Sequence, residues 1–288
     1  MIAAIIREAR PKQWLKNVLV FAAPAALGDI STSLVTRSLV VFVAFCMTAS
    51  GTYYWNDIKD VEADRRHPKK MHRPIASGAV PLGVARVVGS VLLAGGPVAA
   101  FLVRPEAGGV VGLYAVLTIG YSVSWKHVPV VDLAIVASGF VLRAMAGAAG
   151  TDTHMSTWFV LCTTFGSFFI VTGKRFAELM ELGDNAIATR KSLAAYTLPY
   201  LRQLLAVSCT ATVFSYCLWA FENGEKAAGS LPWHGLSIVP MVLALLRYLL
   251  VLEKGGGEAP EEVFTKDRAL QLYGLAWVIV YGLGVYAG

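Results

Sequence analysis

The sequence predicts an all-α, polytopic membrane protein, and three observations carry that expectation. Of 288 residues, 56% are apolar and only 15% are charged, whereas a soluble domain carries about a quarter charged residues. The apolar residues gather into runs long enough for helical spans, each of which needs about 20 residues. The basic residues then divide unequally between alternate connections, as the positive-inside rule requires.

Nine candidate spans follow in order: 14–30, 35–56, 82–103, 108–124, 130–149, 156–174, 201–221, 231–252 and 269–287. The first is short and contains Pro24, so a broken or tilted element is expected there. No shift in composition marks a soluble domain, and the chain reads as one domain over 1–288. Cys46, Cys162, Cys209 and Cys217 all lie in apolar stretches without paired Cys/His spacing, which suits small buried hydrophobes. Met1 to Lys16 is basic and amphipathic with no evident cleavage signal, so the first span is expected to direct insertion.

Charge fixes the expected orientation. With the N-terminus inside, the inner connections take Arg7, Arg10, Lys12 and Lys16, the run from Lys59 to Arg86, Lys126, and the Lys and Arg residues of 174–202 and 247–268. The outer side keeps only Arg37, Arg104 and Lys226, and Arg143 falls inside a span. One missed span would scramble this asymmetry. The C-terminus is therefore expected outside and the chemistry on the cytoplasmic face of a plasma membrane. The formal charge of +6 then reflects basic loops near anionic lipid headgroups rather than nucleic-acid binding.

The chemistry concentrates at Asn56-Asp57-Ile58-Lys59-Asp60-Val61-Glu62-Ala63-Asp64. On one helix, Asn56, Asp57, Asp60 and Asp64 would share an arc of roughly 100°. Three carboxylates so placed repel one another unless a cation joins them. A hard cation with oxygen ligands, above all Mg²⁺, suits the stripe and leaves room for substrate phosphates. Arg65, Arg66, Lys69, Lys70 and Arg73 follow directly and can hold the remaining phosphate charge. The bland alternative is a solvated helix end of mixed charge.

Other inner segments add candidates. Lys16 and Asn17 stand where the first span begins, although Arg10-Pro11-Lys12-Gln13-Trp14 also reads as plain interfacial anchoring. Arg73-Pro74-Ile75-Ala76-Ser77-Gly78 reads as a turn that re-enters a helix at Pro81. Tyr121 and Lys126 border a tight loop, where a lone Lys is equally a topology signal. Asp132 and Arg143 are about three turns apart on one face of the fifth span, and charges within a span usually point into a cavity. Lys174, Arg175, Glu178, Glu181 and Asp184 form a second patch, in which Glu178 and Asp184 are candidate ligands for a second metal ion or holders of water. An ordinary Lys174–Glu178 pair is the alternative. Arg190 and Lys191, with Tyr196, extend the anion-binding capacity, and Asp267-Arg268 either caps the last helix or lines the site.

Asn56-Asp57-x-x-Asp60-x-x-x-Asp64, followed by Arg73-Pro74-Ile75-x-Ser77-Gly78, resembles the UbiA superfamily of intramembrane prenyltransferases. The resemblance covers nearly the whole chain. It implies helices around a central cavity and two acidic motifs that bind Mg²⁺ and a diphosphate. The second motif departs: Gly173-Lys174-Arg175-x-x-Glu178 replaces the usual Asp-x-x-x-Asp. With Arg10-Pro11-Lys12-Gln13-Trp14-x-Lys16-Asn17, Gly139-Phe140-Val141-Leu142-Arg143 and Asp267-Arg268, that departure resembles one branch of the superfamily. In that branch phosphoribosyl pyrophosphate is the donor, a polyprenyl (decaprenyl) phosphate is the acceptor, and the product serves cell-wall arabinan synthesis.

The resemblance places Mg²⁺ and diphosphate on Asn56, Asp57, Asp60 and Asp64, and completes the polar site with Lys174, Arg175 and Glu178. Arg65, Arg66, Arg73, Tyr121, Lys126, Arg190 and Lys191 are assigned from charge and position. The expected partners are phosphoribosyl pyrophosphate, the lipid phosphate and membrane lipids, with a second copy of the chain left open. The alternatives are an aromatic prenyltransferase and a lipid transporter. Against transport, no inverted repeat is evident, and the acids lie to one side of the membrane rather than at its midplane. A CDP-alcohol phosphotransferase also uses spaced aspartates, but its Asp-Gly…Ala-Arg lead-in is missing.

Overall fold

The computed structural model describes residues 1–26, 31–182, 193–226, 231–257 and 260–286, and these are helices joined by turns. The helices are α1 (Ile2–Glu8), α2 (Ala22–Ala25), α3 (Thr32–Lys59), α4 (Val61–Arg66), α5 (Leu82–Val103), α6 (Pro105–Val123), α7 (Val131–Thr151) and α8 (Thr157–Leu182). After them come α9 (Leu198–Lys226), α10 (Trp233–Leu236), α11 (Ile238–Glu253), α12 (Pro260–Lys266) and α13 (Arg268–Tyr286). The protein is an all-α, multi-pass membrane protein. Among the described residues, 7 helices or helix pairs are long and apolar enough to cross a membrane, and they fall where seven of the nine spans were expected.

The count of nine is not confirmed. The sixth expected span is the 26-residue α8, whose Thr, Ser and Gly content dilutes its hydropathy. The first expected span is a 3₁₀ helix, Pro11–Phe21, followed by the short α2. It runs antiparallel to α3. Arg10 meets Asp57, Trp14 Nε1 donates to Ser50 Oγ at 3.1 Å, Asn17 Nδ2 donates to Cys46 Sγ at 3.2 Å, and Phe21 lies 5.5 Å from Phe42. A 3₁₀ helix rises about 2 Å per residue against 1.5 Å in an α-helix, so few residues cover much of α3's length. A Cβ at Gly147 would strike the Val20 carbonyl, so glycine is what lets this segment lie against α7.

The chain forms two compact units: Met1–Val123 with Leu142–His154, and Ser124–Val141 with Met155–Gly288. In the first, α3, α5 and α6 pack on one another around Val41, Ala44, Phe45, Ala100, Val111 and Tyr114. Gly51 meets the Leu93 backbone so closely that an added Cβ would sit 2.5 Å from its nitrogen, the small-residue contact usual between membrane helices. In the second, α8 packs on α9 and α11 on α13, around Leu133, Phe169, Phe176, Leu205 and Tyr248.

Candidate active site

The acidic stripe does not lie on one helix, as the spacing suggests. Helix α3 ends at Lys59, Asp60 takes φ −91° and ψ 7°, and α4 starts at Val61. Near-bridge backbone at Asp60 redirects the chain, so Asp64 sits on a separate short helix. Asp57 and Asp64 are nevertheless both buried, and Arg73 Nη1 joins them at 3.0 Å and 2.7 Å. Arg10 pairs with the other oxygen of Asp57 and lies 4.9 Å over the Tyr53 ring. Lys70 Nζ stands 4.0 Å from Asp64. Asp60 and Asn56 are half-buried at the rim.

Burial explains the arginines. Two carboxylates out of water are tolerated only if paired and hydrogen-bonded, and a guanidinium serves both at once. The turn at Arg73-Pro74-Ile75 holds that guanidinium in place: Ile75 is 1% exposed, and the Ser77 and Gly78 amides donate back to the Arg73 and Ile75 carbonyls. Arg65 and Arg66 are exposed. Arg65 turns to Glu62 at 2.8 Å and to the Ala76 carbonyl at 3.2 Å rather than toward Asp57.

Sequence reasoning missed Glu8. It is 1% exposed, and neither carboxylate oxygen has a hydrogen bond of ordinary geometry. Burial, followed by the neighbouring Asp57, pushes its pKa up to about 8, and the Arg10 charge and the Ile75 amide offset only part of this. The one available signal was a single acid among the apolar and basic residues of 1–12.

Arg143 and Asp132 do not pair with each other, contrary to the reading of a charge pair on one face. Eleven residues of α-helix span about 16 Å, beyond side-chain reach. In the first unit, Arg143 Nε donates to Asn17 Oδ1 at 2.7 Å, Nη2 donates to Tyr114 Oη at 3.2 Å, and the guanidinium lies 4.9 Å over the Tyr114 ring. In the second, Asp132 is 0% exposed and accepts from Tyr196 Oη at 2.6 Å. Burial and the Asp132 contact raise the Tyr196 phenol, which keeps it a donor.

Asp132 also stands 3.7 Å from Arg175 Nε, and Arg175 Nη1 bonds Glu178 Oε2 at 2.7 Å. The alternative of an ordinary Lys174–Glu178 pair is not what forms: Glu178 pairs with Arg175. Lys174 is half-buried and has no hydrogen-bond or ion-pair partner among the described residues. Lys16 and Tyr121 are half-buried in the first unit, and Lys126 in the second. Asp267 pairs with Arg247 at 2.8 Å and accepts from the Leu270 amide at 2.9 Å, so it caps α13. Asp184, Arg190 and Lys191 lie outside the described residues. Among the described residues, no three His, Cys, Asp or Glu side chains are grouped to hold a metal ion by themselves.

Apolar spans with buried, arginine-bound carboxylates define a multi-pass membrane protein with a buried cluster of charge. The chain belongs to the UbiA prenyltransferase family, whose model matches residues 17–280. It is 43% identical to the decaprenyl-phosphate phosphoribosyltransferase of Corynebacterium glutamicum, over 98% of this chain and 86% of that one. Its identity to the Mycobacterium tuberculosis protein of the same name is 41%, over 100% and 96%. The structure of a UbiA homolog from Archaeoglobus fulgidus bound to GPP and Mg2+ superposes with a TM-score of 0.73 at 16% identity, covering 99% of this chain and 100% of that one.

Proposed function

We propose that this chain transfers the 5-phosphoribosyl group from phosphoribosyl pyrophosphate to decaprenyl phosphate, releasing diphosphate, at the cytoplasmic face of the plasma membrane. The observation that carries this reading is the near-full-length identity to decaprenyl-phosphate phosphoribosyltransferases. The cationic second motif agrees with it. Phosphoribosyl pyrophosphate carries a 5-phosphate that a prenyl diphosphate lacks, and Lys174 is available to meet an added anion.

Asp57, Asp60 and Asp64, with Asn56 at the rim, suit Mg²⁺ because their donors are all oxygen. Mg²⁺ commonly takes only one or two carboxylates and fills its remaining positions with substrate phosphate and water. A bound Mg²⁺ supplies charge neutralisation for the departing diphosphate.

The chain's own groups do the rest. Arg73 and Lys70 stand beside the carboxylates, where they attract phosphate and fix its place. Lys174 takes a donor phosphate, and Asp132 with Tyr196 holds Arg175 in a set orientation. As the bond from C1 of the ribose to diphosphate breaks, positive charge develops on the sugar and negative charge on the leaving group. Fixed cations at the latter lower the main barrier. The acceptor phosphate is anionic at pH 7, so attack needs no strong general base. Glu178 remains a candidate for positioning metal or water, although Arg175 holds it here.

Two measurements test the reading. Membranes carrying the protein, supplied with Mg²⁺ and labelled phosphoribosyl pyrophosphate, should label decaprenyl phosphate. Prenylation of an aromatic acid from a prenyl diphosphate, with no use of the ribose donor, overturns it. For orientation, cysteines placed at Lys69 or Gly256 should react only with cytoplasmic reagent, and one at Asp152 only from outside. Outside labelling at Lys69 removes the access route for a cytosolic sugar phosphate.

A further inference from the structure

We propose that the Tyr196 hydroxyl is a positioning group for the donor, joining a left-handed turn at Val130 to the second motif through Asp132. This rests on the reading of Lys174 and Arg175 as the place that receives donor phosphate.

Val130 has φ 69°, a left-handed conformation that a β-branched residue adopts only as an outlier. Such backbone persists only where surrounding contacts over-determine it, and it recurs at functional positions. Tyr196 supplies one of those contacts: its Oη accepts from the Val130 amide at 2.6 Å. The same hydroxyl donates to Asp132 Oδ1 at 2.6 Å. The phenol therefore acts as acceptor and donor at once, with Val130 on one side and Asp132 on the other. The Val130 carbonyl accepts from the Ala134 amide at 2.9 Å, so this turn is also where α7 begins. Burial fixes the ring. Tyr196 is 5% exposed, lies in one core with Leu133, Phe176 and Leu193, and stacks on Tyr200 at 6.0 Å.

Asp132 passes the constraint on. It is 0% exposed, and its Oδ2 stands 3.7 Å from Arg175 Nε. Arg175 is 4% exposed; its Nη1 meets Glu178 at 2.7 Å, while its Nε has no hydrogen-bond partner among the described residues. A buried guanidinium with an unbonded nitrogen is held partly by charge, so its place depends on where Asp132 is fixed. Lys174 is its neighbour on α8, so a shift of Arg175 also displaces the cation assigned to donor phosphate. The competing role is a plain core tyrosine. For that role the ring suffices, and it gives no reason for strain at Val130, which is 46% exposed.

The test compares purified full chains: wild type, Tyr196→Phe, and Tyr196→Phe combined with Val130→Gly. Inorganic pyrophosphate with Mg²⁺ is titrated by calorimetry, and KM is measured for phosphoribosyl pyrophosphate and for decaprenyl phosphate. Tyr196→Phe keeps the ring, and thermal unfolding confirms that it is folded. It should weaken pyrophosphate, and raise the KM for the ribose donor, by roughly three- to tenfold, the worth of one ordinary hydrogen bond. The KM for decaprenyl phosphate should stay unchanged. Glycine adopts a positive φ freely, so Val130→Gly should return part of the lost affinity, which a merely space-filling ring would not allow. If Tyr196→Phe does not fold, Asp132→Asn carries the test: it keeps an acceptor for the hydroxyl, removes the charge facing Arg175, and should likewise weaken pyrophosphate. Wild-type pyrophosphate affinity in the folded variant overturns the proposal. So do equal losses for donor and acceptor, no rescue by glycine, or a wild type that binds no pyrophosphate. Hydroxyl-dependent pyrophosphate binding by a protein that ignores phosphoribosyl pyrophosphate leaves the positioning role standing and sinks only the assigned reaction.

Discussion

Asp60→Asn is expected to abolish transfer while leaving the protein folded in the membrane. Asp60 is half-buried at the break between α3 and α4, so the amide removes a charge without emptying a packed site. Losing one group that stabilises the leaving diphosphate should lower turnover by at least about a hundredfold. Asp57→Asn should be as inactive but for two reasons. Its side chain is 1% exposed and holds both Arg10 and Arg73. Removing one partner of a buried pair costs about 3–5 kcal/mol, and the lower end applies because the Arg73 side chain is 27% exposed. Asp57→Asn should therefore also lower the unfolding temperature, and by more than Asp60→Asn does. For the wild type, chelation should remove activity and Mg²⁺ should restore it. Near-normal turnover in folded Asp60→Asn would mean that the acidic segment is not the metal site.

Lys174→Ala carries the second large effect, on the donor. Arg175 is committed to Glu178 and Asp132, whereas Lys174 has no partner among the described residues. Its loss should disturb little of the fold and remove one charge-assisted phosphate contact. Such a contact is worth about 1.5–3 kcal/mol, which is roughly ten- to hundredfold in affinity for phosphoribosyl pyrophosphate. Affinity for decaprenyl phosphate should change much less, because a long apolar tail binds chiefly through burial of its own apolar surface. Equal losses for donor and acceptor would place Lys174 at a general structural role instead. Glu178→Gln should chiefly lower turnover if the carboxylate positions metal or water, with modest effects on either affinity.

The two variants probe segments that differ in how far the primary structure discloses them. Acids at 57, 60 and 64 beside Arg65 to Arg73 raise the expectation of an anion and metal site through residue type alone, because charge next to a membrane span is costly without a use. The second patch announces a departure from the usual acidic motif, yet not which of its two cations is occupied. A helix places Glu178 within reach of both Lys174 and Arg175, at i,i+4 and i,i+3, and spacing cannot choose between them. Burial chooses. Arg175 is 4% exposed and must be neutralised by Asp132 and Glu178, while Lys174 is half-buried and need not be.

The sequence by itself determined the class of fold, the position of the apolar helices, the basic asymmetry of the loops and the acidic segment. Each rests on local properties: hydropathy over about 20 residues, charge sign, and residue type. Only the tertiary structure decided which groups meet. It broke the acidic stripe at Asp60, rebuilt the first span as a 3₁₀ helix along α3, and gave Asp132 and Arg143 different partners. It also carried Arg10 to Asp57 across 47 residues of sequence. No periodicity encodes such a meeting, because it depends on how Tyr54 and Ser50 hold the N-terminal segment against the end of α3.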